Sequence, residues 1–298
     1  MSTQTTIKKY LSDDGFLRAS VVIGTTLVET MRTTLQSYPI ATVAGGRTLL
    51  ASGLMASHLK DGNVGIQFKG NGPLGTVYAE TQASGAARAY VANPGVDLPT
   101  VNGQWDISTG IGRGILEVLR STPFQTSNQV GKVEIQTGQV GEDVAFYLQQ
   151  SQQIPAMINL SVEVGTYSEV IGAGGVLIEL MPGHGSALID QLERNVRTSP
   201  AISHLIQAGA EESDLLAPYL RGIPFKPLDM EFSLRYECRC TRDKVMDSLT
   251  FLSPETLDEM IKEKKNAEVR CEFCGKVYEV EIDELQEAKS RSYKKSLN

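Results

Sequence analysis

The first 237 residues of this 298-residue chain contain no cysteine. No segment approaches the ~20 apolar residues that a membrane-spanning helix needs. The opening "MSTQTTIKKYLSDDGF" has no apolar stretch long enough for the core of a signal peptide. A cytoplasmic protein with no membrane partner is therefore expected. Basic residues are not in excess either. The chain has 28 Lys and Arg against 35 Asp and Glu, a net charge of −7. That balance argues against a nucleic-acid partner bound by neutralising its phosphates. G-x-S-x-G, H-E-x-x-H and P-loop motifs are all absent. The three histidines, His58, His184 and His204, are scattered and have no nucleophile pattern around them. They read as packing or surface residues, and no enzymatic reaction is expected.

"GNGPLG" (Gly70–Gly75) matches the G-x-G-x-x-G of dinucleotide sites. That motif binds a pyrophosphate only where it opens a helix. Here "TVYAET" follows and alternates as a strand does, so a hairpin turn is expected.

What is present is ordinary in bulk, with 41% apolar and 21% charged residues. The length suits roughly two domains at about 150 residues each. Residues 1–183 are rich in Gly, Thr and Val, with short apolar runs between turn signals. Val64–Lys69 and Gly75–Glu80 read as a hairpin. Strands are also expected in "ARAYVANP", "RGILEVLR", "GKVEIQTGQV", "MINLSVEVG" and "GGVLIELMPG". Ala41–Lys60 spaces Leu49, Leu50, Leu54 and Leu59 along one helical face. Asp143–Gln152 reads as another helix, with Asp143 as its N-cap. Hairpins with interspersed helices indicate an α+β domain with an antiparallel sheet.

Residues 184–230 read as a helical linker. Three short helices in His184–Ile223 carry apolar stripes at Leu188, Ile189 and Leu192, at Ile202 and Leu205, and at Leu215, Leu216 and Tyr219. Ser199 and Pro200 are expected as N-cap and first residue of the second helix. Residues 231–298 hold 28 of the 63 charged residues, and little apolar material remains there for an independent core. The terminal "KSRSYKKSLN" reads as a solvated, disordered tail.

All four cysteines lie in this last segment, as C-x-C (Cys238, Cys240), 30 intervening residues and C-x-x-C (Cys271, Cys274). Four thiolates suit a tetrahedral zinc ion, one per chain, and the turn of a C-x-x-C aims two sulfurs at one metal. Unrelated thiols or structural disulfides fit less well, given the paired spacing and the cytoplasmic reading. Helices are expected between the pairs at Thr241–Leu249 and Ser253–Ile261, and short strands on either side of the second pair. Arg239, Arg242, Arg270 and Lys276 flank the pairs, and nearby cations lower a thiol's pKa. A passive staple and a redox switch both remain open on the residues alone, the staple being the more common use of such a site. A zinc ribbon that binds nucleic acid or a protein partner is the rival reading. The even mix of 15 acidic and 13 basic residues in 231–298 speaks against its nucleic-acid form.

With these residues in hand, the chain resembles the bacterial heat shock protein 33 family of redox-regulated holdase chaperones. The resemblance runs in order through "GNGPLG", "YVANPGVDLP", "YLQQSQQIPA", "GGVLIELMPG", "CRCTRDKV" and "AEVRCEFCGKVYEV". It implies a mixed α/β N-terminal domain, a helical linker and a small zinc domain. It further implies an inactive, zinc-bound reduced form. Oxidation would pair Cys238 with Cys240 and Cys271 with Cys274, release zinc, unfold the linker and let its apolar stripes bind unfolding client proteins. A second copy of the chain, in the oxidised form, is the other expected partner. Gln152 stands where the family usually has Glu, Gly275 where Asn is common, and "EKKN" (263–266) where a glycine-containing turn is usual. None of these departures removes a ligand.

Overall fold

Arg47 is the only charged residue in Pro39–Ala56, and that composition decides the architecture. A helix apolar all round belongs in an interior. In the structure, a computed structural model describing residues 5–101, 103–121, 129–263 and 266–296, 16 of these 18 residues are buried. The elements run β1 (Thr5–Ser12), β2 (Leu17–Ile23), α1 (Thr25–Leu35), α2 (Pro39–Ala56), β3 (Asn63–Gly70), β4 (Thr76–Gln82) and β5 (Ala86–Val91). Then come β6 (Thr100–Val101), β7 (Gln104–Trp105), α3 (Ile107–Ile111), β8 (Gly114–Ser121), β9 (Gln129–Glu134), α4 (Val140–Gln152), β10 (Ala156–Val164) and β11 (Val170–Leu180). The linker region holds α5 (Ser186–Thr198), α6 (Ile202–Gln207) and α7 (Glu212–Leu216), followed by β12 (Phe225–Tyr236). The chain ends with α8 (Arg242–Leu249), α9 (Pro254–Lys262), β13 (Ala267–Arg270), β14 (Val277–Val280) and α10 (Ile282–Ser296).

Ten strands form one sheet in the order β10-β11-β2-β1-β12-β5-β4-β3-β8-β9. Every neighbouring pair is antiparallel except β12 with β5. Strands from both halves of this sheet pack on α2, and α4 packs on β9 and β10, the two outermost strands. Close approach of strand side chains to α2 needs small residues. A Cβ on Gly53 would lie 2.8 Å from Leu234 Cδ1. The hydroxyls that α2 buries are bonded, Thr48 to the Ala44 carbonyl and Ser52 to the Leu49 carbonyl, as burial requires.

The sheet's other face carries the linker helices. Side chains alternate across a strand. Thus Val22 and Leu177 face the α2 cluster, while Val21 and Val176 face α5–α7. Leu192, Ile202, Leu215, Leu216 and Tyr219 are buried there with Tyr10, Leu17 and Ile178, and Leu188, Ile189 and Leu205 pack against the same cluster. A polar clasp fixes the end of the linker. The buried Asn195 donates to the carbonyls of Tyr219 and Arg221 at 2.8 and 3.0 Å, and Asn159 donates to the Tyr219 hydroxyl at 2.8 Å.

Two compact units result, 1–237 and 238–298. Residues 184–230 and the whole of β12 are packed into the first. The second is built on α8, α9 and α10 and the β13–β14 hairpin, around seven buried apolar residues.

Several local expectations are corrected. Asp143 is no N-cap: α4 begins at Val140, and the buried Asp143 carboxylate accepts from the backbone N–H groups of Gln136, Thr137 and Gly138. Those bonds hold the turn in which the expected strand "GKVEIQTGQV" ends at Glu134. Ser199 closes α5 instead of opening α6, because its hydroxyl donates to the Asn195 carbonyl. Leu59 lies beyond the end of α2, which stops at Ala56. The terminal segment continues α10 to Ser296, where Leu285 and Ala288 are buried and Lys289 pairs with Asp258 at 2.5 Å. Within "EKKN", residues 264 and 265 lie outside the described residues. "GNGPLG" is the turn between β3 and β4, as expected.

Candidate metal centre

Cys238 and Cys240 sit between β12 and α8, whose N-cap Thr241 accepts from the Lys244 N–H. The turn joining β13 to β14 carries Cys271 and Cys274. It is closed by Cys271 N–H to the Lys276 carbonyl at 2.9 Å and Gly275 N–H to the Cys271 carbonyl at 2.8 Å. Gly275 has φ +69, a conformation that a side chain disfavours. The expected helices between the pairs are both present, and Ser253 caps the second.

The hairpin and the C-x-C segment bring all four sulfurs within 4.8 Å of one another. Cys238 Sγ lies 3.6 Å from Cys271 Sγ, and Cys240 Sγ lies 3.4 Å from Cys274 Sγ. All four are free thiols, each half-buried. Four sulfurs at about 2.3 Å from a central ion would stand about 3.8 Å apart in a tetrahedron. The donor set therefore fits a metal ion, and among the described residues it is the one cluster of metal-ligating groups found.

The thiols' electrostatics differ from the expectation that flanking cations activate them. Arg242 is engaged by Glu284, at 3.0 and 2.5 Å, and by the Glu279 carbonyl. Lys276 lies over the Tyr278 ring, 4.8 Å from its centre. Burial and the neighbouring sulfurs push Cys274 up to about 12, and burial also raises Cys238. For Cys240 burial acts upward most strongly, but hydrogen bonds from the Tyr278 hydroxyl and the other thiols outweigh it and bring the thiol down to about 7. For Cys238 and Cys274 the thiolate form therefore calls for a cation at the site. Tyr278, which donates to Cys240 Sγ at 3.1 Å, is not marked as a site residue by any sequence motif. Its only signal there is its place four residues after Cys274.

The histidines lie elsewhere. His58 Nε2 sits 3.2 Å from Ser20 Oγ and 3.3 Å from Glu179 Oε2, and burial holds its pKa down to about 4. His184 Nδ1 lies 2.9 Å from the Met181 carbonyl, and His204 is exposed on α6. Gln152 accepts from Arg120 and donates to the Tyr147 hydroxyl.

Comparison with known proteins bears on both units. The sequence pattern of the Hsp33 protein family matches residues 6–281. A 33 kDa chaperonin of Thermodesulfovibrio yellowstonii is 36% identical, over 89% of this chain and 91% of its own. Another, from Desulforamulus reducens, is 33% identical over 93% and 94%. The structure of a 33 kDa chaperonin (heat shock protein 33 homolog) from Thermotoga maritima superposes with a TM-score of 0.85, covering 97% of this chain and 99% of that one at 29% identity.

Proposed function

We propose that this chain, which belongs to the Hsp33 family, is a redox-regulated holdase that binds unfolding proteins and keeps them from aggregating under oxidative stress. The observation that carries the reading is the gathering of four thiols in a unit that has little else to hold it. In the reduced form Cys238, Cys240, Cys271 and Cys274 hold one zinc ion. Bound, the ion supplies charge neutralisation and cross-linking to the unit. Structural zinc is worth about 10–16 kcal/mol in small peptides, against about 5–15 kcal/mol for the stability of a whole domain. Losing the ligands therefore removes the margin of residues 238–298.

Peroxide transfers one oxygen to a thiolate as its O–O bond breaks, giving a sulfenic acid and hydroxide, and a neighbouring thiol then attacks the sulfenic sulfur and displaces its oxygen as water to close a disulfide. Cys238 with Cys240 and Cys271 with Cys274 are the proposed pairs, since closure between near neighbours in sequence needs little chain search. The linker of residues 184–230 then loosens and exposes its stripes. Leu188, Ile189, Leu192, Ile202, Leu205, Leu215, Leu216 and Tyr219 become a client surface, consistent with their present cover by the sheet. A large exposed apolar surface is what non-native chains bind. In this reading the chain catalyses no reaction, acts in the cytoplasm, needs neither nucleic acid nor membrane, and pairs with a second copy when oxidised.

The test measures zinc, free thiols and suppression of a test protein's aggregation before and after peroxide, with disulfides mapped by mass. One zinc and four thiols should be lost together as suppression appears, with new proteolytic cuts between His184 and Met230. Cross-pair disulfides, or an oxidised chain no more protective than the reduced one, would overturn the reading.

A further inference from the structure

The last section of β12 joins the two halves of the sheet, pairing with β1 on one side and, over two residues, with β5 on the other. Its ladder with β1 is irregular between Tyr10, opposite Pro227, and Lys8, opposite Glu231. Residues 231–236 therefore form a separate short stretch. Glu231–Leu234 pair with Thr5–Lys8, and then Arg235 and Tyr236 pair with Ala86 and Ala87 of β5. This is the one parallel pairing among the described strands, and parallel ladders are slightly weaker per residue. The Arg235 N–H donates to the Gly85 carbonyl at 3.0 Å, the Glu237 N–H to the Ala87 carbonyl at 2.8 Å, and the Tyr236 hydroxyl to the Ala89 carbonyl at 3.1 Å. Of the twelve residues of β12 only Leu234 is buried, on a floor of Gly53 and Ile7. Met230 just before this stretch is 57% exposed.

The stretch is also bracketed. The linker helices precede β12, and Cys238 follows Tyr236 after one residue. Both neighbours are segments whose order the metal controls in the function proposed above, and this inference rests on that reading. With both flanks released, four antiparallel pairs with β1, two parallel pairs with β5 and one buried leucine are left to retain the strand.

We propose that the slot occupied by residues 231–237 is a client site, in which an extended segment of an unfolding protein adds to the sheet in place of β12. Departure of the strand leaves Thr5–Lys8 and Gly85–Ala89 with unpaired backbone groups beside an apolar floor. Open strand edges of this kind template the addition of another chain. Recognition by main-chain bonds with one pocket for a branched apolar side chain tolerates many sequences. The occupant is thus an extended segment with one apolar residue where Leu234 now sits, and β12 is its resident stand-in.

The probe is a labelled peptide of residues 230–237, "MEFSLRYE", offered to the full chain with amide exchange read residue by residue. In the zinc-loaded reduced chain, those amides of Thr5–Lys8 and of Ala86 and Ala87 that face β12 should be protected and the peptide should not bind. Oxidation should remove that protection, and the peptide or an unfolded client should restore it, slowing exchange there about tenfold, the effect of roughly one net hydrogen bond. The same peptide carrying Leu234→Asp should fail to restore it. In the full chain, Leu234→Asp should admit the wild-type peptide without oxidant and with zinc content unchanged. If that variant does not fold, the peptide experiment on the wild-type chain decides alone. Persistent protection of these amides after oxidation, or client capture that leaves them unprotected, would overturn the proposal. An oxidised chain that holds no client at all would instead overturn the function on which it rests.

Discussion

In residues 1–237, apolar side chains fill two clusters of 39 and 14 buried residues on opposite faces of one sheet, whereas residues 238–298 bury seven. The larger unit closes its sheet around a helix that is buried on every side, so burial of apolar surface holds it. In the smaller unit three helices and a hairpin surround a short apolar cluster, and beside it lie four thiols that could hold a metal ion. In the function proposed above, chemistry at sulfur undoes the smaller unit and leaves the unit held by burial untouched. Helices α5–α7 pack on the sheet of the larger unit, and the chain runs on from them through β12 to the smaller one.

The largest effect should come from removing a ligand. Cys271→Ser should abolish stoichiometric zinc and erase amide-exchange protection across 238–298, while the sheet of the larger unit stays protected. Full zinc with unchanged protection would break the comparison outright. The converse substitution is Leu50→Ala, at a fully buried position of α2. It should cost about 2–5 kcal/mol in denaturant unfolding of the larger unit and leave zinc content alone. Zinc loss in that variant would show that the two units do not fail separately.

Acid should act on the larger unit through His58, which faces Glu179, Arg18, Lys9 and Arg120. Its folded pKa of about 4 lies below the ordinary 6.5, so the unfolded chain binds the proton more tightly. The stabilisation is then complete above pH 6.5 and is lost as pH falls toward 4, about 3 kcal/mol in all. Urea unfolding of wild type and His58→Gln at pH 7.5 and 4.5 should show the variant losing that much less. Equal losses would mean that burial of this imidazole does not set the slope.

The smallest effect concerns Tyr278. Tyr278→Phe removes the hydroxyl from Cys240 and should weaken zinc about tenfold, the lower end for an outer-shell partner. Competition with a chromophoric chelator measures it. An unchanged affinity would mean that the sulfurs alone set the strength of the site.

The metal centre was legible because the spacing of Cys238, Cys240, Cys271 and Cys274 is a local pattern, and a turn such as Cys271–Gly275 is built from neighbours in sequence. The caps at Thr241 and Ser253 were legible for the same reason, and so were the amphipathic stripes of α5–α7. The roles of Asp143 and Ser199 were not legible because each has a hydrogen-bond group that more than one local geometry can use. The partner each adopts depends on how the next element packs. Tyr278 carries no signal in isolation, since its hydroxyl reaches Cys240 only when the hairpin folds back over the C-x-C segment.

By itself, the sequence determined the four-thiol cluster, the charge-rich unit around it and the apolar stripes in need of cover, all of which follow from composition and short-range spacing. The tertiary structure alone decided what covers those stripes, that β12 crosses from β1 to β5, and that α2 is buried on every side. Those outcomes depend on pairings such as Arg235 with Ala86, far apart in the chain, and a backbone ladder leaves almost no mark on the residues it joins.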